Sequence, residues 1–178
     1  MDGQLARLDV LGQQLAALDR EVRRRGQRSP VVQALERIPG IGPFIALLLE
    51  AEIGDVQRFP TAKHLASYTG LVPSLYASGE RRWGGAITKQ GSTVLRWALV
   101  QAAHRAALSP QFQAFYQRQR ARHGAGKATV ALARKLAVIA YYRWRQALVR
   151  PRVGDQAEQV RECACGSAWS EDRPLMSD

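Results

Sequence analysis

Ser78 is the side chain whose neighbours best suit it to chemistry. It is followed by Gly79, by Arg81 and Arg82, and then by Gly84, Gly85, Lys89 and Gly91. A hydroxyl in a glycine-punctuated segment ringed by fixed positive charge suits contact with a phosphodiester. Backbone amides and guanidinium groups there bind phosphate oxygens and stabilise the charge that builds as phosphorus is attacked. A serine hydroxyl is a poor nucleophile until a base removes its proton or a metal assists. No base stands out: His64 lies fourteen residues upstream, His104 and His123 fall on expected helices, and Glu80 is near in sequence only. No metal-ligand spacing or carboxylate cluster occurs, so the chain alone reads as an incomplete active site. The alternative for Ser78 is a turn-former whose hydroxyl caps a nearby amide. Ser74 and Ser92 are the other hydroxyls of this region, and Ser92, at a helix start, reads as a cap.

The charge around this segment is unevenly placed. Residues 81–150 hold fourteen Lys or Arg and no Asp or Glu, residues 1–80 balance to zero, and residues 151–178 sum to −3. The whole carries +11 with a pI of about 10.6. Such a block is the footprint of a polyanion partner, nucleic acid first; an Arg-rich surface with no specific partner is the alternative. No stretch approaches a membrane span, and no signal-peptide core opens the chain, so a cytoplasmic location and no membrane partner are expected. Cys163 and Cys165, one residue apart, make neither a structural disulfide nor a zinc site and read as incidental.

The positioning elements are mainly helical. Leu8, Leu11, Leu15, Leu18 and Val22 repeat at 3-4-3-4, either the end of a coiled-coil seam or an amphipathic helix folded back on its own core. Ser29-Pro30 caps a short helix to Arg37. Ile38-Pro39-Gly40-Ile41-Gly42-Pro43 then matches a helix-hairpin-helix element. Its glycines permit a tight turn, and the next helix, to about Ile53, aims free amides at a phosphate. Phe44 stands where many such hairpins carry Lys, and Pro43 has no N–H, so the turn serves packing as readily as DNA. Gly54-Asp55 ends that helix, Pro60-Thr61 opens a third and Gly70 closes it. Leu71–Gly85 has no helical period and reads as a glycine-rich loop or short β-hairpin. Ser92 caps a helix over 93–107 with Leu95, Leu99 and Ala102 inward. Pro110 opens another, with Phe112, Phe115 and Tyr116 on one side. Gly124 and Gly126 break it, and a last helix takes its core from Val130, Leu132, Leu136, Val138 and Ile139. The expected division is a coiled-coil-like helix over 1–28, one domain over 29–149 and a disordered tail over 150–178.

The order GLVPSxxxSGE followed by GGAITKQGSTVLRWALVQAA, with LERIPGIGPFIALLLEAEIGDVQRFPTAKHLASYTG upstream and ARKLAVIAYYRW downstream, resembles a bacterial insertion-sequence transposase family. Its members pair a RuvC-like nuclease domain with a serine-bearing domain, and the pilin-gene invertases are among them. The resemblance is to the C-terminal half and covers roughly residues 30–147. It implies that Ser78 attacks a DNA phosphodiester, forming a transient phosphoserine link that a second DNA end resolves. Beside that serine, Arg81, Arg82 and Lys89 look like phosphate-contacting residues with Arg96 in support, and the hairpin residues Gly40, Ile41 and Gly42 complete the DNA-binding candidates. The resemblance also implies a coiled coil between the two domains, Mg²⁺ held by the RuvC-like domain and no cofactor within this chain. A composite site shared between protomers of a homo-oligomer follows, as does a guide RNA from the element. The start of the chain falls inside the linker of the resembling family, which implies a truncated frame, a remnant or one half of a split element, with a RuvC-like domain or intact transposase as partner. The alternative is a non-catalytic nucleic-acid-binding remnant or regulator of the intact enzyme.

Overall fold

The computed structural model describes residues 2–78 and 81–149. Gly79, Glu80, the side chains of 75–86, and the tail 150–178 with Cys163 and Cys165 lie outside the described residues. The fold is mainly helical: α1 (Asp2–Arg28), α2 (Pro30–Glu36), α3 (Pro43–Ile53), α4 (Ala62–Tyr68), strands β1 (Pro73–Ser78) and β2 (Arg81–Ile87), then α5 (Thr93–Ala106), α6 (Pro110–His123) and α7 (Ala125–Val149). A single 3-10 turn, Val56–Arg58, joins α3 to α4, with Asp55 accepting from the Gln57 amide at 2.8 Å.

Local chemistry sets most boundaries. Ser29 accepts from the Val32 amide and Pro30 fills the first helical position of α2, where a missing N–H loses nothing. Gly54 ends α3 with φ 66°. Gly124, at φ 83°, separates α6 from α7. Gly126, expected to share in that break, lies instead inside α7, in open space with no atom near its missing Cβ.

α7 is the central helix and packs against α2, α4, α5 and α6. Leu132 and Leu136 are buried as expected, Val130, Val138 and Ile139 only half-buried, and the core continues through Ala140, Tyr141 and Trp144. The Tyr141 hydroxyl donates to the Phe59 carbonyl at 3.0 Å and accepts from Arg145 Nη1 at 3.0 Å. This ties the last helix to the segment before α4. Much of the helix–helix contact is alanine, with Ala98, Ala102, Ala103 and Ala106 of α5 and Ala133 and Ala137 of α7 fully buried. Small side chains let helix axes approach closely.

α1 packs against α2 and α3, with Gly26 close to Val32. Upstream, Leu8, Leu11, Leu15 and Leu18 are 54–64% exposed, so these residues do not fold back onto the core. No helix among the described residues is long and apolar enough to cross a membrane.

Candidate nucleic-acid interface

The segment left open as loop or hairpin is a hairpin. β1 and β2 are antiparallel, with Ser78 opposite Arg81, Ala77 opposite Arg82, Tyr76 opposite Trp83 and Leu75 opposite Gly84. At the root Pro73 pairs with Ile87, so β2 has one extra residue between Gly84 and Ile87. An extra residue of this kind bends and twists a strand, and glycine is the residue that accommodates it.

The root of the hairpin is tied to the helical body. Thr88 N donates to Val72 O at 2.9 Å, Lys89 N to Gly70 O at 3.3 Å, and Ser92 N to Tyr68 O at 3.1 Å. Gly91, at φ 137°, lies so close to Tyr68 that a Cβ there would overlap its carbonyl. Ser92 caps α5 by accepting from the Leu95 amide and donates its own proton to Glu52 at 2.7 Å, which confirms its reading as a cap. Arg96 donates Nη1 to the Lys89 carbonyl at 3.1 Å and sits against Gly70. Its guanidinium therefore braces the root.

Of the residues singled out by sequence, the hairpin brings Arg81 and Arg82 to Ser78 and leaves Lys89 and Arg96 at the other end. Pro73 and Ser78 are five residues apart along one strand, which at ~3.3 Å per residue is about 17 Å. Lys89 is exposed, in the left-handed region at φ 52°, but it cannot share a phosphate with Ser78 in this arrangement.

The turn between α2 and α3 divides its three residues. Gly40, at φ 93°, packs so tightly on α5 that a Cβ would overlap the Ala102 carbonyl and Ala106. Ile41 is 4% exposed in the core, and its amide donates to Ile38 O at 3.0 Å. Gly42 caps α3 in open space. Pro43 has no N–H, and Gly42, Phe44 and Ile45 stand at the start of α3, where the first amides of a helix have no acceptor within it. Gly42 has open space where a Cβ would stand, whereas Gly40 and the Ile41 side chain serve packing.

Two contacts fix how far apart these segments lie. Glu52, near the end of α3, holds Ser92 at the start of α5, while Gly40, ahead of α3, meets Ala102 and Ala106 near the end of α5. α3 is thus antiparallel to α5. The turn stands about 15–20 Å from the hairpin root, at ~1.5 Å per helical residue.

None of the histidines belongs to the hairpin. His64 Nδ1 pairs with Thr61 Oγ1 at 2.8 Å on the exposed side of α4, and His104 and His123 are exposed on α5 and α6. Among the described residues no group of three His, Cys, Asp or Glu is placed to hold a metal. Sequence reasoning missed Lys127 and Arg134. These two line, with Leu71, Pro73 and Ile87, a groove of about 540 Å³ between the hairpin root and α7. Their i, i+7 spacing around Val130 and Ala131 was the available signal.

Comparison with known proteins bears on the segment that carries both the hairpin and the turn. Residues 32–117 match the transposase IS116/IS110/IS902 family. The chain is 34% identical over 116 residues to the insertion element IS110 uncharacterized 43.6 kDa protein of Streptomyces coelicolor, covering 65% of this chain and 29% of that protein. It is 32% identical over 136 residues to the transposase for insertion sequence element IS1328 of Yersinia enterocolitica, 74% of this chain and 41% of the relative. With the pilin gene-inverting protein of Moraxella bovis it shares 38% identity over 116 residues, 63% and 36% of the two. It thus spans less than half the length of each of these three relatives. The match includes Ser78, Arg81, Arg82 and Gly40–Gly42 but stops before α7.

Proposed function

We propose that this chain is the DNA-binding, serine-bearing C-terminal part of an insertion-sequence transposase, active only with a RuvC-like nuclease domain. The observation that carries the reading is the register of Ser78 opposite Arg81 at the end of the hairpin, inside the segment that matches the transposase family. The Ser78 hydroxyl attacks a DNA phosphodiester, the bond from phosphorus to one deoxyribose oxygen breaks, and that strand leaves with a free hydroxyl. A hydroxyl of a second DNA end then attacks the phosphoserine, restoring the serine and joining the strands. Arg81 and Arg82 neutralise the charge that builds on phosphorus. Gly40–Gly42 form the turn of a helix-hairpin-helix element whose outward amides bind backbone phosphate without reading sequence. Mg²⁺ belongs to the acidic residues of the RuvC-like domain, and a guide RNA from the element selects the target.

The test mixes the chain with a family RuvC-like domain, its element-end RNA, Mg²⁺ and labelled target DNA. The product sought is a covalent protein–DNA band on a denaturing gel. A band lost in Ser78→Ala supports the reading. Salt-sensitive binding with no band, from a RuvC-like domain shown active with its own intact transposase, favours the second reading, a nucleic-acid-binding regulator.

A further inference from the structure

A second feature lies on the opposite pairing of the central helix, where α2 meets α7. The face of α2 bearing Gln33, Ala34 and Arg37 opposes the face of α7 bearing Arg143, Gln146 and Ala147, and between them is a cleft of about 190 Å³. Both faces follow i, i+3, i+4 spacing, so each presents its residues in one stripe. Ala34 and Ala147 are half-buried and leave room between the helices, while the two arginines and the two glutamines are exposed beside them.

The chemistry of the lining is one-sided. Two guanidiniums, each with five N–H donors, share the cleft, and no carboxylate lines it. Glu36, the acid of α2, approaches Gly26 of α1 instead. Among the described residues neither Arg37 nor Arg143 has an ion pair or a side-chain hydrogen bond. Gln33 is held against the end of α1 by donating Nε2 to the Gln27 carbonyl at 2.7 Å. Arg37, at the C-cap of α2, complements that helix's dipole, which accounts for it singly. It does not account for both lining one cleft without a counter-charge. An anion with several acceptor oxygens supplies that counter-charge, and the planar guanidinium fork matches a phosphate in particular.

We propose that the α2–α7 cleft is a second nucleic-acid contact in which Arg37 and Arg143 clamp one backbone phosphodiester and Gln146 supplies a further donor. It lies partly outside the family-matched segment, since Arg143 and Gln146 follow residue 117. It is independent of any chemistry at Ser78. DNA and RNA backbones share the phosphodiester, and the experiment separates them.

The full chain is titrated by fluorescence anisotropy with a 20-base-pair DNA duplex (~20 pairs, one face of about two turns) and with a single-stranded RNA of matched length, across the salt range where counterion release is read. The cleft pair Arg37→Ala/Arg143→Ala is compared with a charge-matched pair on α1, Arg7→Ala/Arg23→Ala. The cleft pair should lower the log–log salt slope by roughly 0.9 for duplex or roughly 0.7 for single strand, one phosphate in either case. It should weaken low-salt binding about tenfold, in line with loss of a charge-assisted contact. The α1 pair should leave the slope unchanged. Arg37→Ala and Arg143→Ala should be less than additive, because one phosphate is shared. The arm that loses affinity identifies the strand type. A cleft pair that behaves like the α1 pair in both arms overturns the proposal. Should the double variant melt early, Arg37→Ala and Arg143→Ala test the same slope singly, because both residues are exposed.

Discussion

Replacing Ser92 by alanine removes two hydrogen bonds made by one oxygen at the base of the hairpin. Ser92 Oγ accepts from the Leu95 amide at 3.2 Å and donates to Glu52 Oε1 at 2.7 Å. Loss of a serine N-cap costs about 1 kcal/mol. Loss of a hydrogen bond to a carboxylate costs about 1.5–3 kcal/mol, and the lower end applies because Glu52 is only half-buried and water can replace the donor. The sum is about 2.5 kcal/mol, a fall in Tm of roughly 5–10 °C for a chain of this size. Urea denaturation of Ser92→Ala, Glu52→Ala and the double variant measures it. The double variant should be less destabilised than the sum of the singles by about 1 kcal/mol, the coupling expected of direct partners. A Ser92→Ala protein within about 0.5 kcal/mol of the parent, or strict additivity, refutes the reasoning. In that case the α3–α5 anchor at this end is not what the geometry indicates.

Gly40→Ala should destabilise by about 3 kcal/mol, combining a left-handed φ with overlap on α5; thermal melting reads it, and an unchanged Tm means the turn is not seated on Ala102 and Ala106. Tyr141→Phe leaves the Phe59 carbonyl without its hydroxyl donor and should cost about 1–2 kcal/mol in urea denaturation. The Glu21 carboxyl, held by hydrogen bonds from Arg24 first and then Arg25, has its pKa lowered from 4.5 to about 2. A depressed folded-state pKa gives a contribution present above pH 4.5 and lost as pH falls toward 2. The end of α1 should therefore lose amide protection across that window, an effect weakened by salt because the site is exposed and abolished in Glu21→Gln. Hydrogen exchange at residues 21–28 reads it.

What the sequence made legible was the chemistry of chain ends. Ser29, Thr61 and Ser92 occupy cap positions, Gly54 and Gly124 end helices, and Pro110 begins one. In each case the signal is one residue acting on its immediate neighbours. Gly126 misled because a glycine in open space is merely tolerated in a first helical turn, whereas Gly124 takes the positive φ that interrupts the chain. Strand character around Gly84 and Gly85 was blurred because glycines weaken the alternation, and the bulge they accommodate shifts the register by one. Nearness in sequence also misled at the candidate site. Lys89 follows Ser78 by eleven residues, but antiparallel pairing turns that short stretch into the length of the hairpin. Arg96 was read as a nucleic-acid contact and not as a brace, since its bond to the Lys89 carbonyl depends on the positive φ of Gly70, against which it packs.

The fixed separations bear on what kind of ligand the proposed reading requires. The Gly42 amides and the hairpin root are about 15–20 Å apart because Glu52–Ser92 and Gly40–Ala102 set the two ends of the α3–α5 pair. Ser78 lies about 17 Å from that root along the strands. No small anion reaches more than one of these places, whereas a nucleic-acid strand presents a phosphate every few ångströms and engages several together. That is also why the anchors matter as much as the cations. Ser92→Ala or Gly40→Ala changes the spacing between contacts without removing any positive charge. Loosened spacing lowers affinity for a long duplex while leaving affinity for a short oligonucleotide, which occupies one contact at a time, almost unchanged. Loss of a phosphate-binding arginine lowers both. On the proposed reading, the binding surface is specified by rigid distances between weak contacts, and the Gly40 turn and the Ser92–Glu52 bond hold those distances.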